Sequence, residues 1–245
     1  KNCIISGSII GATSSSYMGG ITGEILSSGK IINCCSTVSI TAAGTGSRLG
    51  GIAGNMINSG EIRNCNAKGD ITSTGGSSFP GGLVGFCSAS TNVVINCYAT
   101  GKVVASGDQS SVGGLTGRNL GTIKNSYSTG SVSGTNQAGV ETGGLVGLND
   151  STAEIDNCYA VGHVSGGVEV GGLVGSNSGT CTASYYDSQT TGQSDDTGKG
   201  VPRTTNQMKL VDTSVTTYSS WDFTTVWAIS SGINGGYPYL RDVAP

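Results

Sequence analysis

Charge and histidine are scarce in this chain of 245 residues. Only 12 Lys and Arg and 15 Asp and Glu are present, a charged share of 11% against roughly 25% in an average soluble domain. The net charge of −3 leaves no clustered positive charge to attract nucleic acid or anionic lipid, so those partners are excluded first. One histidine and scattered acids also argue against a dense catalytic cluster.

Long apolar runs are absent too. No stretch approaches the roughly 18 apolar residues that cross a bilayer, so we expect no membrane insertion. Four prolines and no Gly-X-Y period exclude collagen, and eight cysteines are too few for a disulfide-built scaffold. What the chain has instead is glycine, 43 residues of it.

Much of that glycine belongs to a repeat, which decides the fold class. The pattern Gly-Gly-(Leu or Ile)-x-Gly occurs six times at intervals of 28 to 32 residues. Its first glycines are Gly19, Gly50, Gly81, Gly113, Gly143 and Gly171. An Asn-Cys pair recurs in phase with it, with Asn125-Ser126 as the one substitution within the run.

Apolar residues keep fixed offsets inside each repeat. A β-branched residue always stands six positions after the Cys column, and the even offsets are small or apolar while the odd ones are mostly polar. This alternation indicates strands with one buried face, which repeats of this size bury by stacking on one another. The sequence therefore predicts an all-β protein, a parallel β-solenoid of about six coils of 28–32 residues with three strands per coil.

Two polar columns are predicted to be architectural ladders. The Asn column can pass amide hydrogen bonds from coil to coil, and the Cys column can be either a line of small buried side chains or a metal or redox line, of which we favour the first. We expect no metal and no cofactor, and free thiols in the column. Bridges among Cys35, Cys87 and Cys181 remain open. The ladder residues are Asn33, Asn64, Asn96, Asn125, Asn157, Cys34, Cys65, Cys97 and Cys158.

A tyrosine follows the Cys column in four successive coils, at Tyr98, Tyr127, Tyr159 and Tyr185. On an outward position these rings would form an aromatic strip that binds sugar rings or an apolar partner. The alternatives are a ladder covered by the C-terminal segment or one that only stacks on itself. The strip is the candidate ligand-binding site, with a glycan or a host or cell-surface partner as its ligand.

The two ends of the repeat differ. We divide the chain into solenoid repeats over 1–185 and a C-terminal capping segment over 186–245, which holds both tryptophans and would cover the exposed end of the core. The chain enters in the middle of a coil, which predicts either a fragment of a longer protein or head-to-tail self-association through an uncapped N-terminal end.

The repeat resembles a known family. Gly143–Asn149, Gly171–Asn177 and Asn96–Gly101 are similar to the GLUG motif repeats of bacterial surface and secreted proteins. This resemblance implies an adhesin-like protein or an accessory region of a large extracellular enzyme. Such repeats also stand beside immunoglobulin-degrading metallopeptidases, but the chain has no peptidase motif.

The acids lie at unlike offsets, one or two per coil, as surface charges do and converging catalytic carboxylates do not. We therefore predict a non-enzymatic, extracellular or cell-surface repeat module that acts as a rigid stalk or adhesive scaffold. The alternatives are a carbohydrate-binding accessory region of a secreted enzyme and a self-assembling subunit of an extracellular filament.

Overall fold

The computed structural model describes residues 2–195, 197–210 and 216–243. It confirms the parallel β-solenoid of six coils. Within the described ranges, each coil contributes one short strand to each of five parallel sheets, which we number 1 to 5 in the order that the chain visits them.

Sheet 1 is the longest of the five because two strands beyond the coils extend it. It contains Ile4–Ile5, Cys35–Ser36, Asn66–Ala67, Tyr98–Ala99, Tyr127–Ser128, Tyr159–Ala160, Tyr185–Asp187 and Val201–Arg203. Sheet 2 contains Ser8–Gly11, Ser39–Ala42, Ile71–Ser73, Val103–Ala105, Val132–Ser133 and Val164–Ser165. Sheet 3 contains Tyr17–Gly19, Arg48–Gly50, Phe79–Gly81, Ser111–Gly113, Glu141–Gly143 and Glu169–Gly171.

The remaining two sheets complete each coil. Sheet 4 contains Thr22–Ile25, Ala53–Met56, Val84–Cys87, Thr116–Asn119, Val146–Asn149 and Val174–Asn177. Sheet 5 contains Lys30–Ile32, Glu61–Arg63, Val93–Ile95, Thr122–Lys124, Glu154–Asp156 and Thr180–Thr182. The prediction of three strands per coil is therefore wrong, because the Asn-Cys and Gly-Gly positions lie at corners that each split one expected strand into two.

The Asn corner separates sheet 5 from sheet 1. Every Asn of that column has a positive φ, between 47° and 57°, a left-handed conformation that asparagine tolerates better than most residues. Two links of the predicted amide ladder are present, from Asn96 Nδ2 to Asn64 Oδ1 and from Asn125 Nδ2 to Asn96 Oδ1, each 3.2 Å long. The column is half-buried or exposed, so its main role is to turn the chain.

The Gly-Gly corner separates sheet 3 from sheet 4 and is required by crowding between coils. A Cβ on Gly82 would lie 2.1 Å from the carbonyl oxygen of Gly114, and one on Gly114 would lie 2.1 Å from that of Gly144. These glycines do not have positive φ values. Close approach of neighbouring backbones is therefore the reason for glycine here.

Two parallel cores run along the rod. The larger one stacks the Leu of the Gly-Gly-Leu corner on the Ile or Val of sheet 5 and on the Cys column, as at Leu115, Ile123 and Cys97. The smaller one joins sheets 2 and 3, with the β-branched column buried as predicted, as at Ile71 and Val103. Because the coils stack in register, equivalent residues lie in the same environment, and each column therefore keeps the same type of side chain.

The C-terminal segment covers both the end and one flank of the rod. At the end, Tyr186 is fully buried in the larger core and pairs in register with Ala160. Two short helices follow, α1 over Ser188–Thr191 and α2 over Thr205–Met208, and then a 3₁₀ turn at Asn234–Gly236 and the antiparallel strands Trp227–Ala228 and Tyr239–Leu240. The part over residues 216–243, here called the strap, lies along the outer face of sheet 1.

Candidate functional site

The tyrosine column forms a continuous stack on sheet 1. The ring centroids of Tyr98 and Tyr127 are 4.9 Å apart, and those of Tyr127 and Tyr159 are also 4.9 Å apart, with interplanar angles of 10° and 7°. The spacing equals that of parallel strands, so each ring lies directly above the equivalent ring of the next coil.

The strap covers this stack. Trp227 contacts Tyr127 and Tyr159 at centroid distances of 6.1 and 6.0 Å, and Tyr218 meets Tyr185 edge-on at 5.5 Å. Tyr98, Tyr127 and Tyr159 are 0% exposed, and Tyr185 is 8% exposed. The prediction of an accessible ligand-binding strip at these four tyrosines is therefore wrong, and the covered ladder, one of its alternatives, is what the chain forms.

Hydrogen bonds attach the strap to the coils. Tyr159 donates its hydroxyl hydrogen to the carbonyl oxygen of Pro238 at 2.6 Å and accepts one from the Asn234 amide at 2.7 Å. Trp221 Nε1 donates to the carbonyl oxygen of Ala183 at 2.8 Å. Burial raises the pKa of Tyr127 and of Tyr159 well above the ordinary tyrosine value, so these rings stay neutral.

The Tyr237 hydroxyl makes a further attachment, because it donates to the Oδ2 of Asp187 at 2.7 Å. Asp187 is fully buried, and its Oδ1 accepts from two backbone N–H groups as the N-cap of α1. A buried carboxylate with three donors is a structural anchor between the end of the solenoid and the strap.

The cysteine column is a hydrogen-bonding ladder of free thiols in the described chain. The Sγ of Cys65 accepts from the backbone N–H of Cys34 at 3.3 Å and donates to the carbonyl oxygen of Arg63 at 3.2 Å. Ser126 makes the same pair of bonds with its hydroxyl, which accepts from the N–H of Cys97 at 3.1 Å. The column therefore needs a small side chain that both donates and accepts.

This ladder gives a testable difference between two small replacements. The free energy of unfolding of Cys65→Ser should lie within about 1 kcal/mol of the wild-type value, because the hydroxyl replaces both sulfur contacts. The free energy of unfolding of Cys65→Ala should be about 1–3 kcal/mol lower than that of the wild type, because the substitution leaves the buried N–H of Cys34 without its acceptor. Urea unfolding measures both, and equal stabilities for the two variants would contradict the ladder.

The remaining cysteines lie apart from the column. Cys87 touches the sulfur of Met56 at 3.8 Å, and burial raises its pKa to about 12. Cys181 occupies the inward position of sheet 5, in register with Ile155, and burial raises its pKa to about 11. Cys35, Cys87 and Cys181 are all free, so the bridges left open among them are not formed.

Several of the carboxylates pair with cations, most often from a neighbouring coil. Lys30 and Arg63 both contact Glu61 at 2.6 Å and hold the pKa of its carboxyl group below the ordinary value. Lys124 contacts Asp156 at 2.8 Å. Within residues 2–195, 197–210 and 216–243, no group of three or more His, Cys, Asp or Glu could hold a metal ion.

A second surface was not found from the sequence. It lies where the outward side chains of sheets 3 and 4 meet, and two arginines there stack on aromatic rings. We call this set the Arg-aromatic face, and it consists of Tyr17, Arg48, Phe79, Phe86 and Arg118. The sequence held a signal for it, because Tyr17, Arg48 and Phe79 each stand two residues before the first glycine of a Gly-Gly corner.

Three segments of the chain match the model of the family described as "The GLUG motif", over residues 45–72, 108–133 and 138–165. The chain carries GLUG motif repeats. Each matched GLUG segment begins before a strand of sheet 3 and extends through the Gly-Gly corner into the next coil. The family resemblance found in the sequence is confirmed.

The chain is also similar to a protein from Evansella cellulosilytica named "Putative Gly-rich membrane protein", with 37% identity over 117 residues. The match covers 45% of this chain and 13% of that protein, so the chain spans a small part of its relative's length. A crystal structure described as "a putative immunoglobulin A1 protease from Bacteroides ovatus" superposes over 98% of this chain and 75% of its own, with a TM-score of 0.65 and 21% identity. That likeness shows the fold alone.

Proposed function

We propose that this chain is a rigid, non-enzymatic stalk module of a larger extracellular, cell-surface protein. The observation that carries the proposal is the unbroken register of the coils, with all five sheets pairing equivalent residues from the first coil to the sixth. At about 4.8 Å per coil the six coils form a rod about 29 Å long. Such a rod holds whatever adjoins it at a fixed distance.

The strap supports the same role. It begins near the last coil and runs back along sheet 1 until Asp242 and Val243 share a surface cavity with Asn33, Cys35 and Asn66 of the second and third coils. Repeat proteins otherwise depend on contacts between adjacent units alone. A segment that spans several coils opposes the peeling of one coil from the next.

The comparisons support the location. The relative from Evansella is named a membrane protein, and this chain matches 13% of it, which suits one module of a longer surface protein. In the described part of the chain, no helix has the length and apolar character to cross a membrane. The paired carboxylates described above support a role without catalysis.

Location and rigidity can be tested separately. An antibody raised against the chain should label intact producing cells without permeabilisation, and small-angle X-ray scattering of the purified chain should match the compact rod in low and high salt. Labelling that requires permeabilised cells would overturn the surface location, and a scattering profile of a flexible chain would overturn the stalk. Hydrolysis of a polysaccharide or protein by the purified chain would overturn the non-enzymatic role.

A further inference from the structure

Arg48 differs from every other arginine in the chain. Arg63 and Arg118 form ion pairs, and Arg203 and Arg241 donate to carbonyl oxygens. Arg48 has no ion pair and no side-chain hydrogen bond with any residue that the structure describes. Its five N–H donors are therefore available to a ligand.

Two aromatic rings hold this guanidinium in place. Its Cζ lies 4.7 Å from the ring centroid of Tyr17 and 4.8 Å from that of Phe86, from the first and third coils respectively. The rings fix the plane of the guanidinium and attract its charge. Because the side chain is already ordered, binding costs less conformational entropy than it would for a free surface arginine.

The rest of the Arg-aromatic face continues along the rod. Arg118 lies over Phe86 at 5.3 Å and over Phe79 at 5.8 Å, and it is neutralised by a bidentate pair with Asp150 at 2.7 and 3.1 Å. Arg48 is therefore the uncompensated cation of the face. Tyr17, which is 40% exposed, offers an open ring beside it.

We propose that the Arg-aromatic face binds a polysaccharide that carries carboxylate groups, with Arg48 as the carboxylate-binding residue and Tyr17 in contact with a sugar ring. A guanidinium fork matches a planar carboxylate with two parallel hydrogen bonds. An exposed aromatic ring supplies the apolar contact that the C–H face of a sugar takes up. Because the net charge of the protein is −3, a polyanion is attracted only at a positive charge that has no ion pair, such as that of Arg48.

The surroundings favour a polysaccharide over an acidic peptide. Extended peptides commonly bind by adding a strand to a sheet edge, where backbone hydrogen bonds supply the affinity. The strands that carry Arg48, Phe79 and Phe86 have partners on both sides, and among the strands of this face only Tyr17–Gly19 lies at a sheet edge, as the end strand of sheet 3. Arg48, the proposed carboxylate-binding residue, is therefore on an internal strand. Around Arg48, Phe79 and Phe86 the face offers only side chains to its ligand. This role is additional to that of a stalk, and its failure would leave the stalk proposal intact.

The test is titration calorimetry of the purified chain with polygalacturonate, and with fully methyl-esterified polygalacturonate as the uncharged probe. Wild type should bind the acid form at low salt, bind the ester at least tenfold more weakly, and lose affinity as salt is added. Arg48→Gln should weaken binding of the acid form about tenfold. Arg63→Gln, which removes an exposed arginine already paired with Glu61, is the matched control and should bind like wild type.

Arg48→Lys separates a binding defect from a folding defect, because it keeps the charge but loses the fork. It should have the same melting temperature as the wild type but bind the acid form several-fold more weakly. Equal affinity of wild type and Arg48→Gln, or no binding of polygalacturonate, would overturn the proposal. Tighter binding of poly-glutamate than of polygalacturonate would overturn it in favour of an acidic peptide.

Discussion

Trp227→Ala should release the strap from the solenoid. The indole is fully buried and stacks on Trp221 at a centroid distance of 4.5 Å, in addition to its contacts with Tyr127 and Tyr159. Removing a large buried aromatic side chain costs about 3–5 kcal/mol. The strap has only one short antiparallel pair of its own, so most of that loss falls on its attachment to the coils.

The release can be seen by limited proteolysis. The variant should be cleaved within residues 216–243 under conditions that leave wild type intact, while far-ultraviolet circular dichroism still shows the β-structure of the coils. Ile233→Ala is the control, because Ile233 lies in the same segment but is 37% exposed, and it should resist cleavage like wild type. A cleavage rate equal to that of wild type would contradict the role of Trp227.

The interior of the rod could be predicted from the sequence because each column repeats one structural demand. The β-branched column, the Cys column and the inward Ile of sheet 5 keep constant offsets, and each is buried where expected, as at Ile71, Cys65 and Ile62. Equivalent residues lie above one another, so six copies of the sequence report on a single environment. The period alone was enough to give the fold class.

The number of strands could not be predicted in the same way. Strands of two to four residues show too few alternations for a period of two to mark their ends. The corners carried a usable signal, since Asn in a repeated left-handed position is typical of a turn, but the amide ladder explained the same residues. Ala183 occupies the seventh position of that column and has a φ of 44°. The left-handed turn is therefore kept there without an asparagine side chain.

The functional surfaces were misjudged because they depend on contacts between columns. Nothing in the repeat shows that a non-repeating segment folds back over Tyr98, Tyr127 and Tyr159, so their outward position was taken for exposure. The same limit hid the contact of Arg48 with Phe86, which crosses the corner between sheets 3 and 4, whereas Tyr17 pairs in register with Arg48 and shares its column. A repeat predicts what lies above a residue, and side-by-side contacts across a corner need coordinates.

Gly114→Ala tests the spacing of the coils most directly. A methyl group at this corner would lie 2.1 Å from the carbonyl oxygen of Gly144 and 2.9 Å from the Ser128 hydroxyl oxygen. The first contact is with backbone that is itself paired in sheets, so the clash cannot be relieved by a side-chain rotation. We expect the free energy of unfolding to fall by about 3 kcal/mol or more, as for severe overpacking of a core.

Gly232→Ala is the matched control for this substitution. A methyl group there would meet no atom within 4 Å, and the change should alter stability by no more than about 0.5 kcal/mol. Urea unfolding followed by circular dichroism compares both variants with wild type. If Gly114→Ala were as stable as Gly232→Ala, close approach of backbones would not set the distance between coils. The columns of Tyr, Cys and Leu would then fix that distance by side-chain packing alone.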